Sequence, residues 1–133
     1  MAQILIADDD ALIGEVVSHR LQENGHNVAV VDNGVKVLEM IHLERPDIVI
    51  LDILMPGLRG IEVLVQLQKE AHTASIPVLM LTGQTGRNHM VEAYDAGATD
   101  FMTKPFKPES LVERIDSIII NARNRPMQVG QYL

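Results

Sequence analysis

The stretch DIVILDILMPGLRG, Asp47–Gly60, decides the fold. Its opening run, Asp47–Leu51, is short and apolar after the first residue, with no polar alternation. Such a run suits a strand buried on both faces, as in a parallel sheet covered by helices. Asp52 follows at once, Pro56-Gly57 and Gly60 mark a loop, and Ile61–Ala71 carries Val63, Leu64 and Leu67 at helical spacing. The unit is therefore strand, charged loop, helix.

The same unit recurs on either side. Strands are predicted at Gln3–Ala7, Asn27–Val31, Pro77–Leu81 and Asp100–Thr103. Helices are predicted at Ala11–Asn24, stopped by Gly25, at Gly34–His42, at Arg87–Ala96, closed by Gly97, and at Pro108–Ala122, with Pro in its first turn. Five βα units predict an α/β fold, a doubly wound five-stranded parallel sheet of flavodoxin-like order 2-1-3-4-5, since right-handed crossovers leave few alternatives. Residues 1–122 read as one domain and 123–133 as a polar tail or the start of a linker.

Composition narrows the function. The chain has 133 residues with 11 basic and 18 acidic side chains, a net charge of −7 and no Cys. A disulfide-stapled module and a Cys-ligated zinc domain are excluded. The acidic balance disfavours binding to nucleic acid or an anionic membrane surface. No apolar run reaches the roughly 18 residues of a membrane span, and the N-terminus lacks the basic region of a signal peptide. A cytoplasmic domain is expected.

Ligands of this architecture sit at the carboxyl ends of the strands. There the sequence places Asp8, Asp9 and Asp10, then Asp52, then Thr82-Gly83, then Lys104-Pro105. Asp32 follows the outer strand and should lie to one side. Asp10 directly precedes a helix and reads as its N-cap. Adjacent strands 1 and 3 bring Asp8, Asp9 and Asp52 together. Such a carboxylate cluster requires a compensating cation, and oxygen-only donors favour Mg²⁺ or Mn²⁺ over zinc. A metal, a lysine and a hydroxyl suit phosphoryl oxygens. Asp52, on the central strand, is then the candidate nucleophile, giving an aspartyl-phosphate.

The pieces ILIADDD (Ile4–Asp10), DIVILDILMPGLRG (Asp47–Gly60), VLMLTG (Val78–Gly83) and AGATDFMTKPF (Ala96–Phe106) together resemble the receiver domain of two-component response regulators, over about residues 3–122. The resemblance implies that Asp52 is phosphorylated by a sensor histidine kinase or phosphotransfer protein, that Asp9, Asp52 and the Leu54 backbone carbonyl ligate Mg²⁺, and that Asp8 contributes mainly through water. Thr82 would hydrogen-bond the phosphoryl group, Lys104 would pair with it and beforehand with Asp52, and the Lys104–Pro105 bond would be cis. Leu54, Gly83 and Gln84 would tune phosphoryl loss. The chain would catalyse only its own phosphorylation and dephosphorylation.

The output implied is conformational. Thr82 and Phe101, the strand 5 aromatic, would switch the face formed by the fourth predicted helix, strand 5 and the fifth predicted helix. A downstream effector or a second copy would dock there, with Met90, Tyr94, Val112, Arg114 and Ile119 as candidate contacts. Met90 and Ser110 stand where the winged-helix branch of the family carries a basic and an acidic residue, although Asp100 and Arg114 remain. The resemblance leaves a tail too short for an output domain, so the chain reads as a stand-alone receiver or the front of a longer regulator. The histidines His19, His26, His42, His72 and His89 show no metal-ligand spacing and read as mostly solvated; His89 alone lies near the switching face.

Two other functions are disfavoured by what the strand ends carry. A haloacid-dehalogenase-type hydrolase needs Asp-x-Asp-x-Thr after strand 1. A flavin-binding module needs a Ser/Thr/Gly phosphate loop where this chain has three carboxylates.

Overall fold

The computed structural model describes residues 2–83 and 88–124. Along the chain run β1 (Gln3–Ala7), α1 (Ala11–Glu23), β2 (Asn27–Val31), α2 (Gly34–Leu43), β3 (Ile48–Asp52), α3 (Gly60–Gln68), α4 (Ala71–Ala74), β4 (Val78–Thr82), α5 (Met90–Asp95), β5 (Asp100–Thr103) and α6 (Pro108–Arg123). The five strands form one parallel sheet in the order β2-β1-β3-β4-β5, as expected.

Alternation along the inner strands feeds two cores. Leu5, Ala7, Val49, Leu51, Val78 and Met80 share one core with Val37 and Ile41 of α2, Leu64 and Leu67 of α3 and Ala93 of α5. Ile4, Ile6, Ile48, Ile50, Leu79 and Leu81 share the other with Val17 and Leu21 of α1 and Leu111 and Ile115 of α6. All five positions of β3 are buried, which is why its sequence lacks a polar period. Each such Leu or Ile contributes about 1.5–3 kcal/mol on burial, so a charge is tolerated only where the strand reaches the rim, at Asp52.

The helix ends follow local chemistry. Asp10 caps α1, accepting from the backbone N–H of Leu12 at 3.1 Å and Ile13 at 3.4 Å. Asn33 caps α2 through the Lys36 N–H at 3.0 Å. Gly25 and Gly97, which follow α1 and α5, have φ of 87° and 110°, a region other residues avoid.

Four expectations are corrected. First, the predicted helix 61–71 breaks after Gln68. Glu70 is extended (φ −116°, ψ 132°), and the buried Thr73 hydroxyl donates to the carbonyls of Leu67 (2.6 Å) and Glu70 (3.2 Å), supplying the partners that a continuous helix would have provided. The separate turn α4 results, so the predicted fourth and fifth helices are α5 and α6. Second, β3 and β4 run one residue further than read, so Asp52 and Thr82 are the last members of their strands rather than loop residues. Third, Val112 and Ile119 are buried against the sheet, so they are core and not surface contacts. Fourth, His26 is not solvated: its side chain is 11% exposed. Its Nδ1 accepts the Ala2 N–H at 3.1 Å. Nε2 therefore carries the ring proton and donates to Asp116 at 3.0 Å.

Candidate functional site

The ladder carries the site residues to one edge. Ala7 is paired with Leu51, Asp52 with Leu81, and Thr82 with Thr103. Backbone hydrogen bonds continue just beyond: Asp8 N–H to Val31 O at 3.1 Å, Ile53 N–H to Leu81 O at 3.0 Å, and Lys104 N–H to Thr82 O at 2.7 Å. The functional side chains are thus fixed by the sheet and not by free loops. Gly60 closes the loop after β3, its N–H donating to Ile53 O at 2.8 Å. A Cβ on Gly60 would stand 2.2 Å from the Asp52 carbonyl oxygen, so no side chain fits there.

Asp8, Asp9 and Asp52 each offer an oxygen within 4.8 Å of the others. Asp8 and Asp52 are buried and Asp9 is exposed. Lys104 Nζ lies 2.8 Å from Asp8 Oδ2 and 3.2 Å from Asp52 Oδ2. The pairing with Asp52 is the one the resemblance implies; the shorter approach to Asp8 carries no sequence signal. Asp8 Oδ1 accepts the Asp10 N–H at 2.9 Å, and Asp52 Oδ1 accepts the Leu54 N–H at 3.2 Å. Asp8 Oδ2 is paired with the Lys104 ammonium at 2.8 Å, whereas Thr82 Oγ1 is buried with no hydrogen-bond partner among the described residues. A buried hydroxyl left in that state costs about 1–3 kcal/mol, a cost proteins retain where a ligand supplies the partner.

The electrostatics agree. Burial raises Asp52 above the usual carboxylate range. Lys104 and the Leu54 N–H pull it down and the Asp8 charge pushes it up, and the net shift is upward. For Lys104, burial would lower the ammonium, but the Asp8 hydrogen bond and the charges of Asp52 and Asp8 outweigh it and leave it above its ordinary value. Three carboxylates and one ammonium leave the pocket with a net negative formal charge. A hard cation on oxygen donors offsets that charge.

The remaining candidates distribute as follows. The Leu54 side chain stands at the rim, 44% exposed. A Cβ on Gly83 would meet nothing within 4 Å among the described residues, and Gln84 lies outside them. The Lys104–Pro105 peptide is cis. Phe101 is buried in the α2–α3–α5 core, its ring 6.4 Å from that of Tyr94. Tyr94 Oη donates to Asp100 Oδ1 at 3.3 Å, and Arg114 meets Asp100 Oδ2 at 2.7 Å. Met90, Val91 and Tyr94 leave α5 with an exposed apolar side. Asp32 is held aside by Lys36 at 3.2 Å, outside the carboxylate cluster.

Comparison with known proteins agrees with this geometry. The family model for the response regulator receiver domain matches residues 4–116. The chain is 38% identical over 117 residues to the response regulator MprA of Mycobacterium leprae, covering 88% of this chain and 50% of that protein. It is 34% identical over 127 residues to the DNA-binding response regulator MtrA of Mycobacterium tuberculosis (strain ATCC 25618 / H37Rv), covering 96% and 54%. The chain therefore spans about half the length of the curated relatives it matches. Among solved structures, a putative response regulator from Chloroflexus aurantiacus superposes with TM-score 0.83 at 33% identity, over 90% of this chain and 98% of that one. The chemotaxis response regulator CheY4 of Vibrio cholerae does so with TM-score 0.83 at 33% identity, over 89% and 98%.

Proposed function

The chain belongs to the response regulator receiver domain family, and from that premise we propose that it is a phosphoacceptor switch whose Asp52 takes a phosphoryl group from a phosphohistidine. The observation that carries this reading is the convergence of Asp8, Asp9, Asp52 and Lys104 around one pocket, beside a buried Thr82 hydroxyl with no hydrogen-bond partner among the described residues.

The donor set fits a hard divalent cation. Asp9, Asp52 and the Leu54 carbonyl would hold Mg²⁺, or Mn²⁺, with Asp8 acting mainly through water. When bound, the cation neutralises charge developing on the phosphoryl oxygens. Asp52 then supplies the attacking oxygen in line with the scissile P–N bond. The new O–P bond forms as the P–N bond breaks, and its electron pair returns to the donor imidazole. Lys104 is already placed to move from the two carboxylates to a phosphoryl oxygen. The Thr82 hydroxyl finds in the phosphoryl group the acceptor it lacks. Gly83, with no described residue near its missing Cβ, leaves room for the group, and Leu54 and Gln84 set how readily water removes it.

The switch follows from Thr82 and Phe101. A pull on Thr82 is felt by its ladder partner Thr103, two residues from Phe101. The Phe101 ring has no hydroxyl, so packing against Tyr94 and the core defines its positions. The surface that reads this out is α5–β5–α6, where a downstream effector or a second copy docks. The partner upstream is a sensor histidine kinase or phosphotransfer protein, and the compartment is the cytoplasm. No helix among the described residues is long and apolar enough to cross a membrane.

The test uses a small phosphodonor such as phosphoramidate. Intact mass should rise by one phosphoryl group with Mg²⁺ present and stay unchanged with a chelator. Asp9→Ala should weaken Mg²⁺ binding at least about tenfold while Asp10→Ala, which removes only a helix cap, leaves it nearly unchanged. Uptake equal with and without the cation would overturn the assignment.

A further inference from the structure

We propose that His42, Glu70 and His72 form a second cation site, for a borderline divalent metal of the Zn²⁺ class, at the edge of the fold opposite the phosphoacceptor pocket. In a parallel βα fold the helices run back from the carboxyl edge, so the last turn of α2 and the α3–α4 junction meet at the amino edge of the sheet. His42 comes from the first, Glu70 and His72 from the second. Glu70 Oε2 lies 3.7 Å from His42 Nε2 and 3.3 Å from His72 Nε2. Two imidazoles, far apart in sequence, thus bracket a single carboxylate oxygen.

The tautomer of His42 sharpens the point. Its Nδ1 lies 2.7 Å from the Leu38 carbonyl oxygen, and a carbonyl can only accept. Nδ1 therefore carries the proton, and in the neutral ring Nε2 turns its lone pair toward Glu70. A lone pair facing a carboxylate is repulsive, and either a proton on Nε2 or a metal cation between the two relieves it. An Nδ1–H bonded to a backbone carbonyl with Nε2 left free is also the arrangement that orients metal-ligating imidazoles.

The backbone beneath is held in place. Arg45 Nε donates to the His72 carbonyl at 3.1 Å and its Nη2 to Ser75 Oγ at 2.9 Å. The buried Thr73 hydroxyl ties the same turn to Leu67 O and Glu70 O. Only the three side-chain ends need to adjust, and they are 56%, 49% and 67% exposed for His42, Glu70 and His72. They stand wider apart than the carboxylates of the phosphoacceptor pocket, so binding draws them in to bond lengths of about 2.0–2.2 Å. His72 then carries its proton on Nδ1, leaving Nε2 to ligate, and water completes the coordination.

Two imidazoles and a carboxylate select Zn²⁺ over Mg²⁺, the reverse of the all-oxygen pocket. As ion pairs alone these exposed contacts contribute little.

The test is Zn²⁺ titration of the full chain in excess Mg²⁺, read by calorimetry and by histidine-ring NMR. The His42 and His72 ring signals should move together and saturate at one equivalent, while those of His19 and His89 stay in place. His42→Gln and His72→Gln should each weaken binding at least about tenfold, and His19→Gln should bind as the parent does. Unchanged melting temperatures without metal would show that the variants remain folded. Parental affinity in the double variant His42→Gln/His72→Gln, or ring shifts that never saturate, would overturn the proposal, and neither depends on phosphorylation of Asp52.

Discussion

Asp52→Asn is expected to abolish phosphoryl uptake, a loss of at least about a thousandfold, while making the folded protein more stable at neutral pH. The two effects share one cause. Burial, with the Asp8 charge adding to it, raises Asp52 above the usual carboxylate range despite Lys104. The folded state therefore holds the Asp52 proton more tightly than the unfolded chain does, and ionised Asp52 costs stability at pH 7. Replacing the charge by an amide of the same shape should return roughly 1 kcal/mol, a few degrees in Tm. Lys104 keeps Asp8 as its partner at 2.8 Å, so the lysine is not orphaned. The sign gives a second check. Stability of the parent should fall, relative to the variant, as pH rises from the ordinary carboxylate value of about 3.9 through the raised Asp52 value, and the gap should stay constant above it. Paired melts across the acidic range would show this. A variant less stable than the parent at pH 7 would mean that the pocket is not under carboxylate repulsion.

Gly60→Ala should be strongly destabilising although it adds only one methyl group. The added Cβ would stand 2.2 Å from the Asp52 carbonyl oxygen, 2.9 Å from Ile53 Cα and 3.0 Å from the Asp52 carbonyl carbon. All three are backbone, so no side chain can swing away. Helix propensity favours Ala over Gly by about 1 kcal/mol, but displacing the end of a fully buried strand outweighs it. A net loss of about 3 kcal/mol or more is expected in denaturant unfolding. The displacement acts on the residue that carries the phosphoacceptor, so uptake should also slow at least about tenfold. Gly83→Ala is the contrast, since its Cβ would meet nothing within 4 Å among the described residues and stability should stay within about 0.5 kcal/mol of the parent. A Gly60→Ala protein as stable as the parent would contradict the close approach of loop and strand.

Much of this was legible in the chain because the signals are local or tied to topology. Apolar runs without alternation gave the inner strands, and an Asp immediately before a helix gave the cap at Asp10. A fixed strand order then brought Asp8, Asp9 and Asp52 to one edge, although Asp52 lies more than forty positions from the other two. Other features depend on distances that no periodicity encodes. That Lys104 reaches Asp8 more closely than Asp52 depends on how the turn after β5 crosses the rim. The break after Gln68 depends on one threonine hydroxyl competing for helix carbonyls. Val112 and Ile119 read as surface contacts because periodicity gives only the narrowest apolar stripe of an outer helix, whereas α6 buries a wider one. His26 and the pair His42/His72 acquire their partners, Asp116 and Glu70, only through tertiary contact.

The central claim, that Asp52 is the phosphoacceptor, is tested most directly by finding the phosphoryl group. Borohydride reduction of the phosphorylated protein converts an aspartyl-phosphate to homoserine, which tandem mass spectrometry places in the sequence. Homoserine at position 52 and at no other aspartate is the predicted result. Homoserine at position 8 or 9, or phosphate retained on a histidine, would contradict it.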